Sequence, residues 1–410
     1  MSNSMKVALI FSSYGPYHLA RLAGCRGQCE AVGIAGGGSS AEYAWDHESP
    51  GRLGLEVVNP EGPAGALRRG EFRKRLRSIL DAAEVDVVAV PGWADRLALE
   101  ALLWSLERGR PVVMMSETSG LDGPAEGWKG KVRRRVIGLC GAALVGGTPH
   151  RKYICEQGMR EEAVFLGYDA VENGYYEGEC GRWRREDAEG APYFLASNRF
   201  IEKKNLFRLL EAQARYATGE GAGGGWPLVL LGDGELRGAL LAHAEGLGLA
   251  VVAGAPWEAE GGGASARTVY LPGFRQIQEL PRFYAHAGAF VHASTKEQWG
   301  LVVNEAMACG LPVVVSERCG CAPDLVVNGE TGYAFDPLDV EALKGLLVRV
   351  AGMSEEARAV MGAAGRRLIA AWGPERFGEG MSAAAEKALS VGPKRAGVLD
   401  RALLNLLCCR

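Results

Sequence analysis

The stretch Val291-His292-Ala293-Ser294-Thr295-Lys296-Glu297-Gln298-Trp299-Gly300-Leu301-Val302-Val303-Asn304-Glu305-Ala306-Met307-Ala308-Cys309-Gly310-Leu311-Pro312-Val313 reads as strand, loop, helix and strand again. Ser294 and Thr295 open a loop behind an apolar run. Gly300 stands at the helix start, Gly310 is a helix stop, and Pro312 opens the next strand. A loop at the carboxyl end of a parallel strand is where open α/β sheets bind ligands. The helix N-terminus behind it offers unpaired N–H groups and partial positive charge, which suit a phosphate. Glu297 precedes this helix start and Glu305 lies one to two turns inside. A carboxylate accepts hydrogen bonds from two hydroxyls at once, and a ribose or a hexose presents such pairs. Taken singly, Glu297 is equally a helix-start charge favoured by the dipole, and Glu305 a solvent-facing helix residue. Their spacing, with Trp299-Gly300 between them, is what points to a site.

The same alternation extends outward in both directions. Short apolar runs at Val7–Phe11, Ala31–Ala35, Leu55–Val58, Val85–Val90, Pro111–Met115, Ala142–Val145 and Ala163–Leu166 are separated by helical stretches. The series resumes at Tyr193–Ala196, Leu228–Leu231, Val269–Leu271, Ala289–His292, Pro312–Val315 and Gly332–Phe335. Continuous apolar strands alternating with helices predict an α/β protein with parallel sheets covered on both faces. Two Rossmann-like domains are expected, which suits 410 residues at roughly 100–200 per domain. The expected boundaries are 1–170, a polar Gly-rich linker at 171–191, a second domain at 192–375, and a helical tail at 376–410. The Gly/Ala/Ser-rich stretch Glu258–Arg267 predicts a surface loop.

Composition narrows the function. With 48% apolar and 23% charged residues the chain can bury a large core. A net charge of −3 excludes a dedicated nucleic-acid binder. The longest uncharged apolar stretch, Val136–Gly147, falls short of the ~18–20 residues of a membrane span. The run Val7–Phe11 is shorter than the apolar region of ~7–15 residues in a signal peptide, so a cytoplasmic location is expected. The ten cysteines form no Cys-x-x-Cys and stand at no zinc spacing. Reduced thiols are expected, with Cys140 and Cys309 as small core residues. No metal is expected, since no Asp-x-Asp pair falls in a plausible metal loop.

Glu297-x-Trp299-Gly300 followed by Glu305 and Ala-Met-Ala-Cys-Gly-Leu-Pro-Val-Val resembles the donor-site signature of the large retaining glycosyltransferase family of GT-B architecture (glycosyltransferase family 4, the glycosyl transferases group 1 type). The resemblance implies that Glu297 contacts the transferred sugar and Glu305 the ribose, while Gly300 and Leu301 touch the diphosphate. The segment Ala196–Asn205 is similar to the family's strand-end Arg with a Lys five residues on. It implies that Arg199 and Lys204 neutralise the diphosphate. Fixed cations aimed at a leaving group whose charge grows stabilise the transition state more than the ground state. Gly232-Asp233-Gly234 after the strand Leu228–Leu231 also matches. Phe274 lies in a loop that brackets the base in the family. The similarity runs well from about Tyr168 to Phe377 and loosely before that.

In the first half, Phe11-Ser12-Ser13-Tyr14-Gly15-Pro16-Tyr17-His18-Leu19 follows the first strand and opens a helix. Gly15 would let the backbone approach a ligand closely. The family commonly has a Gly-rich loop here, which makes Tyr14 and His18 acceptor candidates, with a helix cap as the plainer role for His18. Glu117 stands where many family members carry a histidine beside the transferred sugar. It would hydrogen-bond the sugar or acceptor hydroxyl, or merely cap the following loop. His150 reads as a helix-start residue.

The expectation is thus a metal-independent, cofactor-free retaining glycosyltransferase with two domains facing across a cleft. It would move a hexosyl unit from a UDP- or GDP-linked sugar to a glycan, lipid-linked or small-molecule hydroxyl. The rivals are a sugar phosphorylase or nucleotide-sugar epimerase on the same architecture, and an inactive sugar-binding subunit. Two segments, Leu67–Arg77 and Trp128–Val136, are strongly basic. They are either solvated helix faces or surfaces that meet an anionic acceptor or anionic lipid, the last of which would place the protein peripherally on the inner face of the cell membrane. In the first, Arg68, Arg69, Arg73, Lys74, Arg75 and Arg77 surround an apolar face of Phe72, Leu76 and Ile79.

Overall fold

The computed structural model describes residues 5–38, 54–93, 95–123, 127–187, 190–219, 225–258 and 265–409. Most of the loop expected at Glu258–Arg267 lies outside them. The chain forms two compact units, Met1–Val171 with Trp372–Arg410, and Glu172–Ala371.

The first unit runs β1 (Lys6–Phe11), α1 (Pro16–Gly24), β2 (Glu30–Gly37), β3 (Glu56–Asn59), α2 (Arg69–Ala83), β4 (Val87–Pro91), α3 (Arg96–Arg108), β5 (Val112–Ser116), α4 (Gly127–Ile137), β6 (Ala142–Val145), α5 (Thr148–Glu156) and β7 (Val164–Leu166). All strand pairs are parallel, in the order β3-β2-β1-β4-β5-β6-β7. Helices cover the sheet through periodic apolar faces. In α2, Phe72, Leu76 and Leu80 are fully buried, each side chain contributing roughly 1.5–3 kcal/mol. The helix ends at Glu84, which takes a left-handed φ of 49°.

The second unit runs α6 (Asn173–Glu186), β8 (Tyr193–Ser197), α7 (Leu206–Ala217), β9 (Leu228–Leu231), α8 (Arg237–Gly246), β10 (Ala250–Ala253), β11 (Thr268–Gly273), α9 (Leu280–His286), β12 (Ala287–His292), α10 (Leu301–Ala308), β13 (Val313–Ser316), α11 (Ala322–Leu325), β14 (Gly332–Phe335), α12 (Val340–Ala351) and α13 (Glu355–Ile369). Its strands are again all parallel, in the order β10-β11-β9-β8-β12-β13-β14. The chain then returns to the first unit with α14 (Pro374–Val391) and α15 (Val398–Leu407). Phe377, Met381, Ala384, Ala385 and Ala388 of α14 join that unit's core. At the crossing of α14 with α1, a Cβ on Gly378 would lie 2.0 Å from the Gly24 carbonyl oxygen, so only glycine permits the approach.

Four expectations need correction. The segment 171–191 is not a linker, because Asn173–Glu186 is a helix of the second unit. Its Tyr176 and Cys180, four residues apart, are buried, and Arg184 donates to the carbonyls of Ala285 and Cys309. The second unit ends at Ala371 rather than at 375, with the helix Glu355–Ile369 inside it. The second sheet has a further edge strand, Ala250–Ala253. Finally, the cations of α2 are not a solvated belt. Arg69 and Arg73 reach Glu100 at 3.0 and 2.6 Å, Arg77 reaches Glu107 at 2.7 Å, and Arg75 reaches Glu71 at 2.5 Å. Arg69 and Arg73 also donate to Asn405, so these side chains stitch α2 to α3 and α15. Among the described residues, no helix is long and apolar enough to cross a membrane.

Candidate functional site

In the second sheet, chain order reverses between β8 and β12. The loops leaving these two neighbours diverge there and open the crevice in which such sheets take ligands. One loop carries Asn198–Lys204 and the other Ala293–Gly300. The Thr295 N–H donates to the Lys203 carbonyl at 2.9 Å and ties them together. The loops after β9 and β11 join the same edge. Phe200 N–H donates to the Asp233 carbonyl, and Gly232 N–H to that of Gly273. Gly232, at φ 133°, lies so close to the neighbouring loop that a Cβ would meet the Asn198 carbonyl oxygen at 1.9 Å. Phe274, just beyond β11, is 40% exposed.

Glu297 sits at the centre of this arrangement. The Lys204 ammonium donates to its Oε2, Lys203 Nζ lies 3.8 Å from Oε1, and His292 Nε2 lies 3.4 Å from Oε2. Ser294 Oγ donates to the same oxygen at 3.4 Å. Burial alone would raise the Glu297 pKa. The hydrogen bond with His292 and the Lys204 charge outweigh it and hold the carboxyl well below the usual range. His292 is pushed down, first by burial and then by the lysines, against the pull of Glu297. Its Nδ1 is buried without a hydrogen-bond partner, as are both amide atoms of Asn198.

Gly300 follows with φ 103° and caps α10. A Cβ there would meet Glu297 Cγ at 3.5 Å and His292 Nε2 at 3.6 Å. With no cap side chain, the first turn of α10, beginning at Leu301, keeps the electropositive end that favours an anion. Trp299 is buried and donates to Asn304 Oδ1 at 2.9 Å, which fixes the loop on the helix. Glu305 is fully buried rather than solvent-facing, and accepts from the Tyr284 hydroxyl at 2.7 Å. Arg199 lies half-buried directly beyond β8.

The structure therefore joins Lys204 to Glu297 directly, with Gly300 beside them. Glu305 lies deeper and is held by Tyr284. Sequence reasoning missed His292, Lys203 and Asn198 as members of the cluster. The available signal for His292 was a polar residue closing an otherwise apolar strand.

In the first unit, three expectations change. Tyr14 is buried and its hydroxyl donates to the Leu9 carbonyl, so it points inward. The Gly15 N–H donates to His18 Nδ1 at 3.2 Å, and at φ −100° this position does not need glycine's freedom. His18 thus caps α1; burial, with Arg21 nearby, pushes its pKa down to about 3. Glu117, after β5, neighbours the buried Asp169. Asp169 also pairs with the buried Arg21 at 3.3 Å. His150, also buried, accepts from the Gly147 N–H and caps α5. Among the described residues no group of three or more His, Cys, Asp or Glu side chains is arranged to hold a metal ion.

Two parallel seven-stranded sheets, each covered by helices, match the GT-B fold of solved glycosyltransferase structures. The family model for glycosyl transferases group 1 matches residues 265–368, which contain Glu297, Gly300 and Glu305. The match covers about a quarter of the chain. Over 72 residues it is 47% identical to a sulfoquinovosyl transferase of Arabidopsis thaliana, covering 17% of this chain and 14% of that one. Over 131 residues it is 35% identical to a GDP-mannose-dependent phosphatidylinositol monomannoside mannosyltransferase of Mycolicibacterium smegmatis, 29% and 34% of the two chains. The aligned stretches thus span about a third or less of these relatives. Among solved structures, Anabaena HepE in complex with UDP superposes with a TM-score of 0.67 at 16% identity, over 92% of this chain and 98% of that one. Sucrose-phosphate synthase of Thermosynechococcus elongatus gives 0.65 at 17%, over 92% and 97%.

Proposed function

We propose that the protein is a retaining glycosyltransferase that moves a hexosyl unit from a nucleoside-diphosphate sugar to an acceptor hydroxyl, with no cofactor or metal. The observation that carries this reading is the Lys204–Glu297–His292 cluster at the β8/β12 switch point, beside the uncapped N-terminus of α10. The match of residues 265–368 to the glycosyl transferases group 1 model supports it, as do the UDP and UDP-glucose complexes of HepE.

In this reading the donor diphosphate lies against the first turn of α10 at Gly300 and Leu301, with Arg199 and Lys204 supplying fixed positive charge. Glu297 accepts hydrogen bonds from the sugar hydroxyls. The ribose reaches Glu305, sharing its carboxylate with Tyr284, and Phe274 lies against a uracil or guanine base. The bond from the anomeric carbon to the phosphate oxygen breaks, and a bond to the acceptor oxygen forms on the same face. The acceptor proton passes to the leaving phosphate, so the protein supplies charge and orientation rather than a nucleophile. A glycan or lipid-linked acceptor and a cytoplasmic location go with this reading.

Turnover of a panel of radiolabelled nucleotide sugars tests it. One donor should be consumed with retained anomeric configuration, activity should survive EDTA, and Glu297→Ala should abolish transfer in a folded protein. Cleavage that requires inorganic phosphate would instead identify a phosphorylase. A chain that binds sugar and turns over no donor would be a binding subunit.

A further inference from the structure

With Arg69, Arg73, Arg75 and Arg77 of α2 committed to ion pairs, a different surface of the first unit stands out. Helix α15 is fixed along one edge: Asp400, Leu404 and Cys408 are buried, and Asn405 accepts from Arg69 and Arg73. Its opposite edge is apolar and open to solvent. Val398, Ala402 and Leu406 follow one another at helical spacing with Leu399 alongside. Val398, Leu399 and Leu406 are 85%, 78% and 64% exposed, and Ala402 is exposed as well. Burying such side chains in an apolar phase is favourable, and none of the described residues of this unit covers them.

The charge around this ridge is mostly positive, and the acid of α3 nearest Arg401, Glu107, is already paired with Arg77. Arg395 and Arg401 are exposed beside it, and Lys394 lies close by. The acid of this helix, Asp400, is already paired with Arg135 of α4. That pair brings α4 to the first turn of α15. Trp128, Lys131 and Arg135 share one stripe of α4, and Trp128 is 55% exposed, with Lys129 and Arg134 also at the surface. An apolar ridge with an interfacial Trp and cationic flanks matches an anionic bilayer in both hydrophobicity and charge. A second copy of the chain fits poorly, because a two-fold contact would set these cations against themselves.

We propose that α15, with the adjoining stripe of α4, is a docking surface for an anionic lipid bilayer. Its aliphatic ridge enters the headgroup boundary, and Lys131, Arg395 and Arg401 meet lipid phosphates. This deepens the proposed function, since it names where a lipid-linked acceptor would be met. It relocates the membrane-facing element from α2 to the C-terminal helix.

Sedimentation of the whole protein with sucrose-loaded vesicles tests the proposal. Vesicles containing phosphatidylglycerol should bind it and pure phosphatidylcholine vesicles should not. Binding should fade as salt shortens the screening length from about 10 Å at 0.1 M to about 3 Å at 1 M. The triple substitution Val398→Ser, Leu399→Ser, Leu406→Ser alters exposed positions and should weaken binding by roughly tenfold or more. Charge reversal on α2 at Arg68 and Lys74 should change it less than about twofold. Absence of binding at low salt, or binding indifferent to the triple substitution, overturns the proposal. So does a dimer, seen by analytical ultracentrifugation, that the triple substitution dissolves. Donor turnover without vesicles keeps the two readings apart: a chain that binds vesicles but uses no nucleotide sugar sinks only the catalytic one.

Discussion

Replacing Lys204 by Met removes the nearest cation from a carboxylate with little water to turn to. The side chains of Lys204 and Glu297 are each only 12% exposed. Breaking a buried ion pair by removing one partner costs about 3–5 kcal/mol. Lys203 at 3.8 Å and His292 at 3.4 Å remain and recover part of this, so the expected loss is about 2–3 kcal/mol. For a unit of this size that lowers Tm by roughly 5–10 °C, readable by intrinsic Trp fluorescence. Replacing Glu297 by Gln as well removes the stranded charge. The double variant should therefore be more stable than Lys204→Met alone, though inactive, which is a coupling that unrelated sites do not show. The pH dependence has a definite sign. Glu297 titrates below its unfolded value in the folded chain, so the pair's contribution is full above about pH 4.3 and lost as pH falls further. The Tm gap between wild type and Lys204→Met should be widest at neutral pH and narrow on acidification. A gap of under 2 °C at pH 7, or a double variant no more stable than the single one, would refute this account of the cluster.

Three further outcomes are expected. Glu305→Gln keeps the hydrogen bond from Tyr284 but loses the charge, and should raise donor KM by roughly tenfold with kcat little changed; an unmoved KM would remove Glu305 from ribose binding. His18, pushed down to about 3, stays neutral in the folded chain while the unfolded chain takes up its proton near pH 6.5. Stability should thus be full above pH 6.5 and fall by up to about 1.4 kcal/mol per pH unit toward pH 3, and Tm measured from pH 7 to 5 in His18→Asn should show a flatter slope. Glu100→Ala leaves Arg69 and Arg73 without their shared buried acceptor and should cost about 2 kcal/mol, visible in urea unfolding of the first unit.

The fold was legible wherever a strand was continuous and apolar, because a parallel strand buried on both faces leaves an unbroken run. It was illegible where that condition relaxed. β10 reads Ala250-Val251-Val252-Ala253, pairs only with β11, and shows both of its alanines to solvent, so little hydrophobic signal marks it. α6 was hidden by Gly174, Gly178 and Gly181, which dilute helix propensity, while its buried anchors are only Tyr176 and Cys180. The site divides in the same way. The loop–helix unit from Glu297 to Glu305 is contiguous, so its spacing carried information. The pairing of Glu297 with Lys204 depends on β8 and β12 being neighbours across the switch point, and no local spacing encodes that. For the same reason α2 read as a basic amphipathic surface: its partners Glu100, Glu107 and Asn405 lie on other helices.

Glu117 carries the argument furthest from the sequence. Read alone, it is a substitution for the histidine that the family resemblance led one to expect, and its meaning stays open. In the structure it has an environment assembled from distant elements. Asp169, just beyond β7, is buried against it, and Arg21 of α1 pairs with Asp169 from the other side. Burial, and then the neighbouring Glu117, raise the Asp169 carboxyl well above its ordinary range, against the pull of Arg21. Asp169 thus has one neighbour, Glu117, that disfavours its charge and another, Arg21, that favours it. The neighbouring β6 strand makes room for this: a Cβ on Gly146 would fall 2.5 Å from Asp169 Oδ2 and 3.0 Å from His150 Nδ1. Gly146, Asp169 and Arg21 thus form one packing unit in which each choice constrains the others. The departure at position 117 is therefore not an isolated change, since a histidine there would face a buried carboxyl already paired with a buried guanidinium.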